Sequence, residues 1–392
     1  MLRGKMVIGQ SGGPTVVINQ SLVGAVLAAR EEAAIRGILG ARHGIAGIMN
    51  EEFVDLTTTP SEAELERVAA TPAAALGSVR LKPGREECAR VFEVFRKHDV
   101  RYLFYIGGND SAETADIINR IASEAGYALR TVHIPKTIDN DLRVTDHSPG
   151  FPSAARFVAL AFLGDDRDNA ALAGVKINVV MGRHAGFLTA ASALARQREG
   201  DGPHLIYLPE RPFDPARFQE DVRRVYRARG RCVVAVSEGV ADADSNPIAT
   251  TGERDSHGNV QLSGSGMLGD RLAALAREAF GGEKVRVRAD TFGYLQRSFP
   301  GVVSEIDARE ARRVGAFAVR RAVAGADGSV AIRRITDDPY DSDCFMTPLS
   351  SVARTTTCMR DGWISEEGND VTDAWLDYLR PLVGPLPVMG RL

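Results

Sequence analysis

Cysteine is scarce. There are four in 392 residues, Cys88, Cys232, Cys344 and Cys358, none in a CxxC pair and none with histidines at metal-ligand spacing. This excludes a cysteine–histidine metal site and predicts reduced thiols, as in a cytoplasm. Cys232 opens the apolar run Cys232–Val236 and reads as core. Basic excess is also missing: 48 Lys and Arg stand against 51 Asp and Glu, a net charge of -3. A nucleic-acid footprint is thereby excluded, and any basic site must be local and shaped by folding. No apolar run reaches the ~18 residues of a membrane span. The opening MLRGKMVIGQSGG enters a strand at once, without a signal-peptide apolar region, so a cytoplasmic location is expected. Short-period repeats, low-complexity tracts and heptads are absent too.

What remains is the balance of a globular enzyme, 44% hydrophobic and 25% charged, in a chain long enough for two or three domains. The recurring pattern is a short apolar run, a Gly-rich or polar turn, then a helix-like stretch. Lys5–Gln10 leads through Ser11-Gly12-Gly13 into a helix over Asn19–Arg30, and Arg101–Ile106 leads through Gly107–Ser111 into Ala112–Ala125. Thr131–Pro135 leads through Lys136–Asp141 to a helix over Phe151–Leu163. Lys176–Met181 leads through Gly182–Gly186 into a helix to Arg198. Leu205–Leu208 is followed by Pro209-Glu210, and Cys232–Val236 by Ser237-Glu238-Gly239. Strands alternating with helices predict an α/β fold with parallel sheets covered on both faces, where ligands bind at the carboxyl ends of strands. Each polar cluster sits at such an end. Ala241–Gly266 reads as a long surface loop, Thr336–Asp343 as an acidic turn, and the tail from Pro381 is rich in Pro and Gly.

The turn at Gly12-Gly13 lets backbone approach a phosphate at a helix N-terminus, or is simply a tight βα turn. It is neither GxGxxG nor GxxxxGK[ST], so the dinucleotide fingerprint and the P-loop are excluded. Gly107-Gly108-Asn109-Asp110-Ser111 repeats the arrangement, with helix capping as its ordinary explanation. Pro135-Lys136-Thr137-Ile138-Asp139-Asn140-Asp141 carries two carboxylates at i, i+2 beside a lysine and a threonine. One can take a hydroxyl proton while the other holds Mg²⁺, which is most of what phosphoryl transfer asks of a protein. The alternative is an Asx-rich turn. Arg183 and His184 follow another strand, where a surface charge and a structural histidine are the plain readings. Glu238 either accepts from sugar hydroxyls or ends a turn. Arg286, Arg288, Tyr294 and Arg297 either suit a phosphate dianion or line an exposed edge strand.

In order and spacing, SGG, GGNDS, PKTIDND, MGRHAG, SEG and GYLQRS resemble the phosphofructokinase family, over about Lys5 to Pro300, and its pyrophosphate-dependent branch in particular. The resemblance implies two Rossmann-like three-layer αβα domains. One spans 1–150 plus about 299–350 and binds pyrophosphate and Mg²⁺; the other spans 151–298 plus the C-terminal segment and binds the sugar phosphate. It implies phosphoryl transfer from pyrophosphate to the 1-hydroxyl of fructose 6-phosphate. Asp139 would be the base, held with Thr137 and Ile138, and Gly13, Arg80, Asp110 and Lys136 would meet the donor. Asn109 and Asp141 would serve the metal. Met181, Gly182, Arg183 and Glu238 would hold the sugar, and Tyr294, Leu295, Gln296 and Arg297 its 6-phosphate. Arg288 resembles an arginine that reaches a neighbouring subunit's site, which implies at least a homodimer, or a tetramer.

Two departures matter. Asn109 stands where the family commonly has Asp, removing one anionic metal ligand. A second inter-subunit arginine is replaced by Gly174, with Lys176 the nearest cation, which leaves room for a longer sugar such as sedoheptulose 7-phosphate. An ATP-dependent kinase is the nearest rival. In ATP-using relatives the position of Asp110 is typically Gly, which makes space for the α-phosphate. A carboxylate ~4 Å from that phosphate repels it by about 4 kcal/mol at an effective dielectric near 20, roughly a thousandfold in affinity. A non-catalytic homologue should have lost the base, yet Asp139 and Asp141 are present.

Overall fold

The computed structural model describes residues 2–81, 83–249 and 266–391. The loop expected over Ala241–Gly266 therefore lies largely outside the described residues. The strands are β1 (Gly4–Gln10), β2 (Ile35–Ala41), β3 (Phe53–Asp55), β4 (Val100–Gly107), β5 (Arg130–Pro135), β6 (Val175–Val180), β7 (Leu205–Tyr207), β8 (Cys232–Ser237), β9 (Val287–Thr291), β10 (Gly328–Asp337) and β11 (Tyr340–Thr347). Two compact units divide the chain. Unit 1 is Met1–Ser153 with Arg297–Thr357, and unit 2 is Ala154–Gln296 with Cys358–Leu392.

Unit 1 holds a seven-stranded sheet in the order β11-β10-β5-β4-β1-β2-β3. Its five central strands run parallel, and β3 and β11 pair antiparallel at the two edges. Alternation along the strands feeds two cores, because successive side chains leave a strand on opposite faces. Met6 and Ile8 of β1 and Tyr102, Phe104 and Ile106 of β4 pack with Leu22, Val26, Val314 and Ala318 from the helices Ile18–Arg30 and Glu305–Val323. Val7, Leu103 and Tyr105 face the other way, onto Cys88, Val91 and Phe95 of the helix Arg85–His98 and Ile118 of the helix Asn109–Glu124. With both faces covered, the strands read as near-continuous apolar runs. The helices Ile18–Arg30 and Glu305–Val323 touch backbone to backbone at glycines. A Cβ on Gly24 would lie 2.2 Å from the Arg312 carbonyl, and one on Gly315 2.1 Å from that of Ser21.

Unit 2 holds a wholly parallel four-stranded sheet, β7-β8-β6-β9. Val175, Ile177, Val179, Cys232, Val234 and Val236 pack with Phe218, Val222, Leu272 and Ala276. Cys232 is core, as expected, and burial pushes its thiol far up. The helix expected to run to Arg198 is corrected. A single α-turn, Phe187–Ala190, tightens into a 3₁₀ segment, Ala191–Ala195. The chain then turns extended because the Asp201 carboxylate takes the amides of Gln197 (3.0 Å) and Arg198 (2.9 Å). The acidic turn expected at Thr336–Asp343 is the tip of the β10–β11 hairpin, with both strands reaching into it. Among the described residues no helix is long and apolar enough to cross a membrane.

One polar knot lies deep in unit 1. His147, 1% exposed, sits between Asp146 (Nδ1 to Oδ1, 2.8 Å) and Glu310 (Nε2 to Oε2, 2.6 Å). Tyr340 donates to Glu310 at 2.8 Å, Ser342 also donates to it, and Arg334 braces Asp146 at 3.2 Å. Arg313 lies 3.4 Å from the Glu310 carboxylate. Burial opposes charge on the ring, but the two carboxylates outweigh it and raise His147 to about 9. Burial likewise opposes ionisation of Glu310, yet the imidazolium and hydroxyls hold it down at about 2. The histidine's stabilisation is full below its unfolded value near 6.5 and fades as pH rises toward 9; that of Glu310 is full above about 4.5 and fades toward pH 2. Removing one partner of such a buried pair costs about 3–5 kcal/mol. His147→Gln is expected to lower the melting temperature most near pH 6 and least near pH 9. Thermal scans showing the same loss at both pH values would contradict an ionised pair.

Candidate active site

In unit 1 the sheet order reverses between β1 and β4, since the chain leaves β1 toward β2 on one side and returns to β4 on the other. A crevice at the carboxyl ends of strands is the expected ligand position in such a sheet. Both Gly-Gly turns end there. Gly12 has φ +75°, and its carbonyl accepts from Ser78 Oγ at 2.6 Å. Lys136, 4% exposed, leaves the end of β5 and donates from Nζ to the Gly13 carbonyl at 2.7 Å. A Cβ on Gly13 would lie 2.8 Å from Arg297 Nη1 and 3.9 Å from Arg80 Nη2. The absent side chain at Gly13 thus leaves room for the Arg297 head. Burial pulls Lys136 down to about 8, with Arg297 and Arg80 adding to the shift and Asp139 and Asp141 opposing it.

Opposite these cations stand carboxylates. Asp110 lies in the first turn of the helix Asn109–Glu124, and Asn109 accepts from the Asp110 amide at 3.0 Å through Oδ1. The Asp141 carboxyl is pushed up by burial and then by the charge of Asp139, with Asp110 adding to it and Lys136 countering. The chain here is a tight turn clasped on several sides. The Lys136 amide donates to the Gly107 carbonyl (3.0 Å), the Thr137 amide to Pro149 (3.2 Å), and the Thr357 amide to the Asp141 carbonyl (2.8 Å). Thr137 Oγ1 accepts from the Asp139 amide at 3.1 Å, Ile138 is buried, and Asn140, at φ +58°, accepts from the Ser148 amide at 2.9 Å. Of two carboxylates at i, i+2, one can accept a proton while the other, Asp141, offers oxygen to a hard cation. Among the described residues no three His, Cys, Asp or Glu side chains could close around a metal by themselves.

Sequence reading missed His133. It is fully buried under this turn, bridging Ser329 Oγ and the Gly107 carbonyl at 2.8 Å each, and burial lowers it to about 4. The carbonyl can only accept, so Nε2 carries the hydrogen. No periodicity or motif marks it, because its partner Ser329 lies on β10.

In unit 2 the ends of β8, β6 and β9 are neighbours. The Met181 amide donates to Gln296 Oε1 at 3.3 Å, and Gly182, at φ +145°, donates to Glu238 Oε1 at 3.5 Å. Ser237 Oγ donates to the Gly182 carbonyl. Glu238 is buried, whereas Tyr294 and Leu295 are exposed. Gln296, 1% exposed, donates back to the Gly293 carbonyl at 2.8 Å, so it braces the turn. Arg183 follows Gly182 in the same turn. Arg288 lies exposed on the edge strand β9. At Gly174 a Cβ would fall 2.4 Å from the Arg286 carbonyl, so no arginine fits there, and Lys176 is committed to ion pairs with Asp165 (3.2 Å) and Asp290. Glu210, also missed, pins the MGRHAG turn by accepting from the Gly186 (2.8 Å) and Met359 (3.0 Å) amides.

The sequence reading placed Arg297 with the sugar's 6-phosphate. Its guanidinium in this structure stands at Gly13, beside Arg80. The other residues of the turn, Tyr294 to Gln296, belong to unit 2.

The family model described as phosphofructokinase matches residues 5–322. A pyrophosphate–fructose 6-phosphate 1-phosphotransferase of Rhodospirillum rubrum is 55% identical over 389 residues, 98% of this chain and 95% of the relative. A solved pyrophosphate-dependent phosphofructokinase from Nitrosospira multiformis superposes with TM-score 0.88 at 35% identity, covering 99% of this chain and 94% of that one. A second, from Marinobacter aquaeolei, gives 0.86 at 35% identity, covering 97% and 92%. With its strand order, its paired glycine turns and these likenesses along nearly its whole length, the chain belongs to the phosphofructokinase family.

Proposed function

We propose that this chain transfers a phosphoryl group reversibly from inorganic pyrophosphate to the 1-hydroxyl of fructose 6-phosphate, a glycolytic step giving fructose 1,6-bisphosphate and phosphate. The observation that carries the choice of donor is Asp110 together with buried Lys136 at the glycine cradle. By resemblance to the family, a carboxylate at Asp110 would crowd and repel a nucleotide's α-phosphate, and the ammonium of Lys136 would favour a small, highly charged donor.

Unit 1 is the donor-binding part in this reading, and unit 2 the sugar-phosphate part. Gly13 brings backbone against the donor, and Lys136 and Arg80 face its oxygens. Met181, Gly182, Arg183 and Glu238 hold the sugar, Tyr294 and Arg297 its terminal phosphate, and Thr137 and Ile138 join Asp139 in binding the substrate. Asp139 takes the proton of the 1-hydroxyl as that oxygen bonds to phosphorus. The bond from phosphorus to the bridging oxygen breaks, and orthophosphate leaves. Preorganised cations stabilise the charge that builds on the departing group. Asp141 and Asn109 would hold Mg²⁺, which would supply further charge neutralisation. The protein is proposed to work in the cytoplasm as a homodimer, with Arg288 on the exposed edge strand reaching the partner's site.

Three measurements test this reading. Asp139→Ser should lower kcat by ~10²–10⁴ with sugar-phosphate affinity little changed; a variant keeping a third of wild-type kcat removes the base assignment. For donor choice, kcat/KM is measured with pyrophosphate and with ATP at fixed fructose 6-phosphate and Mg²⁺. Wild type should prefer pyrophosphate, Asp110→Gly should shift the ratio toward ATP at least tenfold, and Lys136→Gly should mainly destroy pyrophosphate turnover. A wild type that prefers ATP overturns the function itself. Full activity from a species that light scattering at assay concentration shows to be monomeric rules out the role of Arg288.

A further inference from the structure

Asp307 is a buried carboxylate that no step above uses. It lies in the first turn of the helix Glu305–Val323 and is 0% exposed. Its Oδ1 accepts from the Gly150 amide at 2.8 Å and its Oδ2 from the Ser153 amide at 3.0 Å. The Ser153 hydroxyl also bonds to it, and accepts in turn from the Ser304 amide at 3.1 Å. Burial pushes the carboxyl up to about 6, against the lowering effect of these donors. A buried carboxylate is costly unless its lone pairs are filled. Here backbone and hydroxyl donors fill them, and those donors belong to one short stretch of chain.

That stretch underlies the turn bearing the base. Gly150 pairs with Thr137 as an isolated parallel bridge, and the Thr137 amide donates to the Pro149 carbonyl at 3.2 Å. Thr137 Oγ1 then accepts from the Asp139 amide at 3.1 Å. The chain of contacts runs from Asp307 through Gly150 and Thr137 to Asp139. A second strap, from the Ser148 amide to Asn140 Oδ1 at 2.9 Å, joins the same two segments. The backbone at Gly150 packs closely on Thr15, since a Cβ there would meet Thr15 Cγ2 at 2.7 Å, and its φ of +107° favours glycine. The helix carrying Asp307 is fixed in turn by the glycine crossing at Gly24 and Gly315.

We infer that Asp307 is a positioning residue for phosphoryl transfer: by holding the Gly150 and Ser153 amides it sets the height of the Thr137–Asp139 turn, and so the placement of the base. This rests on the proposal that Asp139 is that base. Reaction rates are sensitive to displacements of about 1 Å in such groups, whereas binding of each substrate by other residues is not. The effect should therefore appear in kcat rather than in KM.

The test is steady-state kinetics of Asp307→Asn with pyrophosphate and fructose 6-phosphate, beside Thr137→Val and the double variant. The amide side chain turns one acceptor into a donor facing a backbone N–H. The expected result is a fall in kcat of at least tenfold with both KM values within about threefold of wild type. Because both residues act through the same turn, the double variant should lose no more than the worse single, a non-additivity that independent sites do not show. Ser153→Ala removes only the hydroxyl and is the milder variant should Asp307→Asn fail to fold. It should show the same split with a smaller loss, about threefold or more. Retained kcat in either folded variant overturns the inference, as do losses in Asp307→Asn and Thr137→Val that simply multiply. These failures are distinct from failure of the base assignment, which Asp139→Ser reads separately, and of the donor assignment, which wild type reads alone.

Discussion

The buried ammonium of Lys136 ties three strand ends together. Its amide reaches the last residue of β4 and its Nζ the turn after β1, while the residue itself continues β5. An ammonium taken out of water is costly unless its donors are used and opposite charge lies near. Gly13 supplies the acceptor, and Asp139 and Asp141 supply the charge. The two arginine heads press the other way and, with burial, hold the ammonium below its ordinary range.

The carboxylates obey the complementary logic. Asp139 and Asp141 share a turn, and burial and then the charge of Asp139 make ionisation of Asp141 less favourable. The turn can carry this electrostatic load because its backbone is held from Gly107, Pro149, Ser148 and Thr357.

The other unit is built with less charge and more backbone. Its turns after β6 and β8 interlock through Gly182, Ser237 and Glu238, and Gln296 props the Met181 amide. Lys176, the cation nearest in sequence to the departure at Gly174, is neutralised by Asp165 and Asp290.

Much of this was legible in the sequence. Strands buried on both faces announce themselves as short apolar runs, and their ends as glycine and polar turns. The observed strands β1, β4, β5, β6, β7 and β8 fall within about a residue of the expected limits because that signal is local. So is the i, i+2 pairing of Asp139 and Asp141, and the succession of six motifs. What the sequence could not display is any partnership across long separations. His147 meets Glu310, His133 meets Ser329, and Asp307 meets Gly150, each more than 150 residues apart and each without periodicity of its own. The extended turn after Ala191–Ala195 depended on Asp201 taking two amides, and the room for the Arg297 head depended on the missing side chain at Gly13. Residue types and their order along the chain therefore determined the fold class, the chemistry on offer and the strand ends where it sits. Only the tertiary structure decided which buried charge is balanced by which, because burial changes the energy of a charge and distant segments alone create the burial.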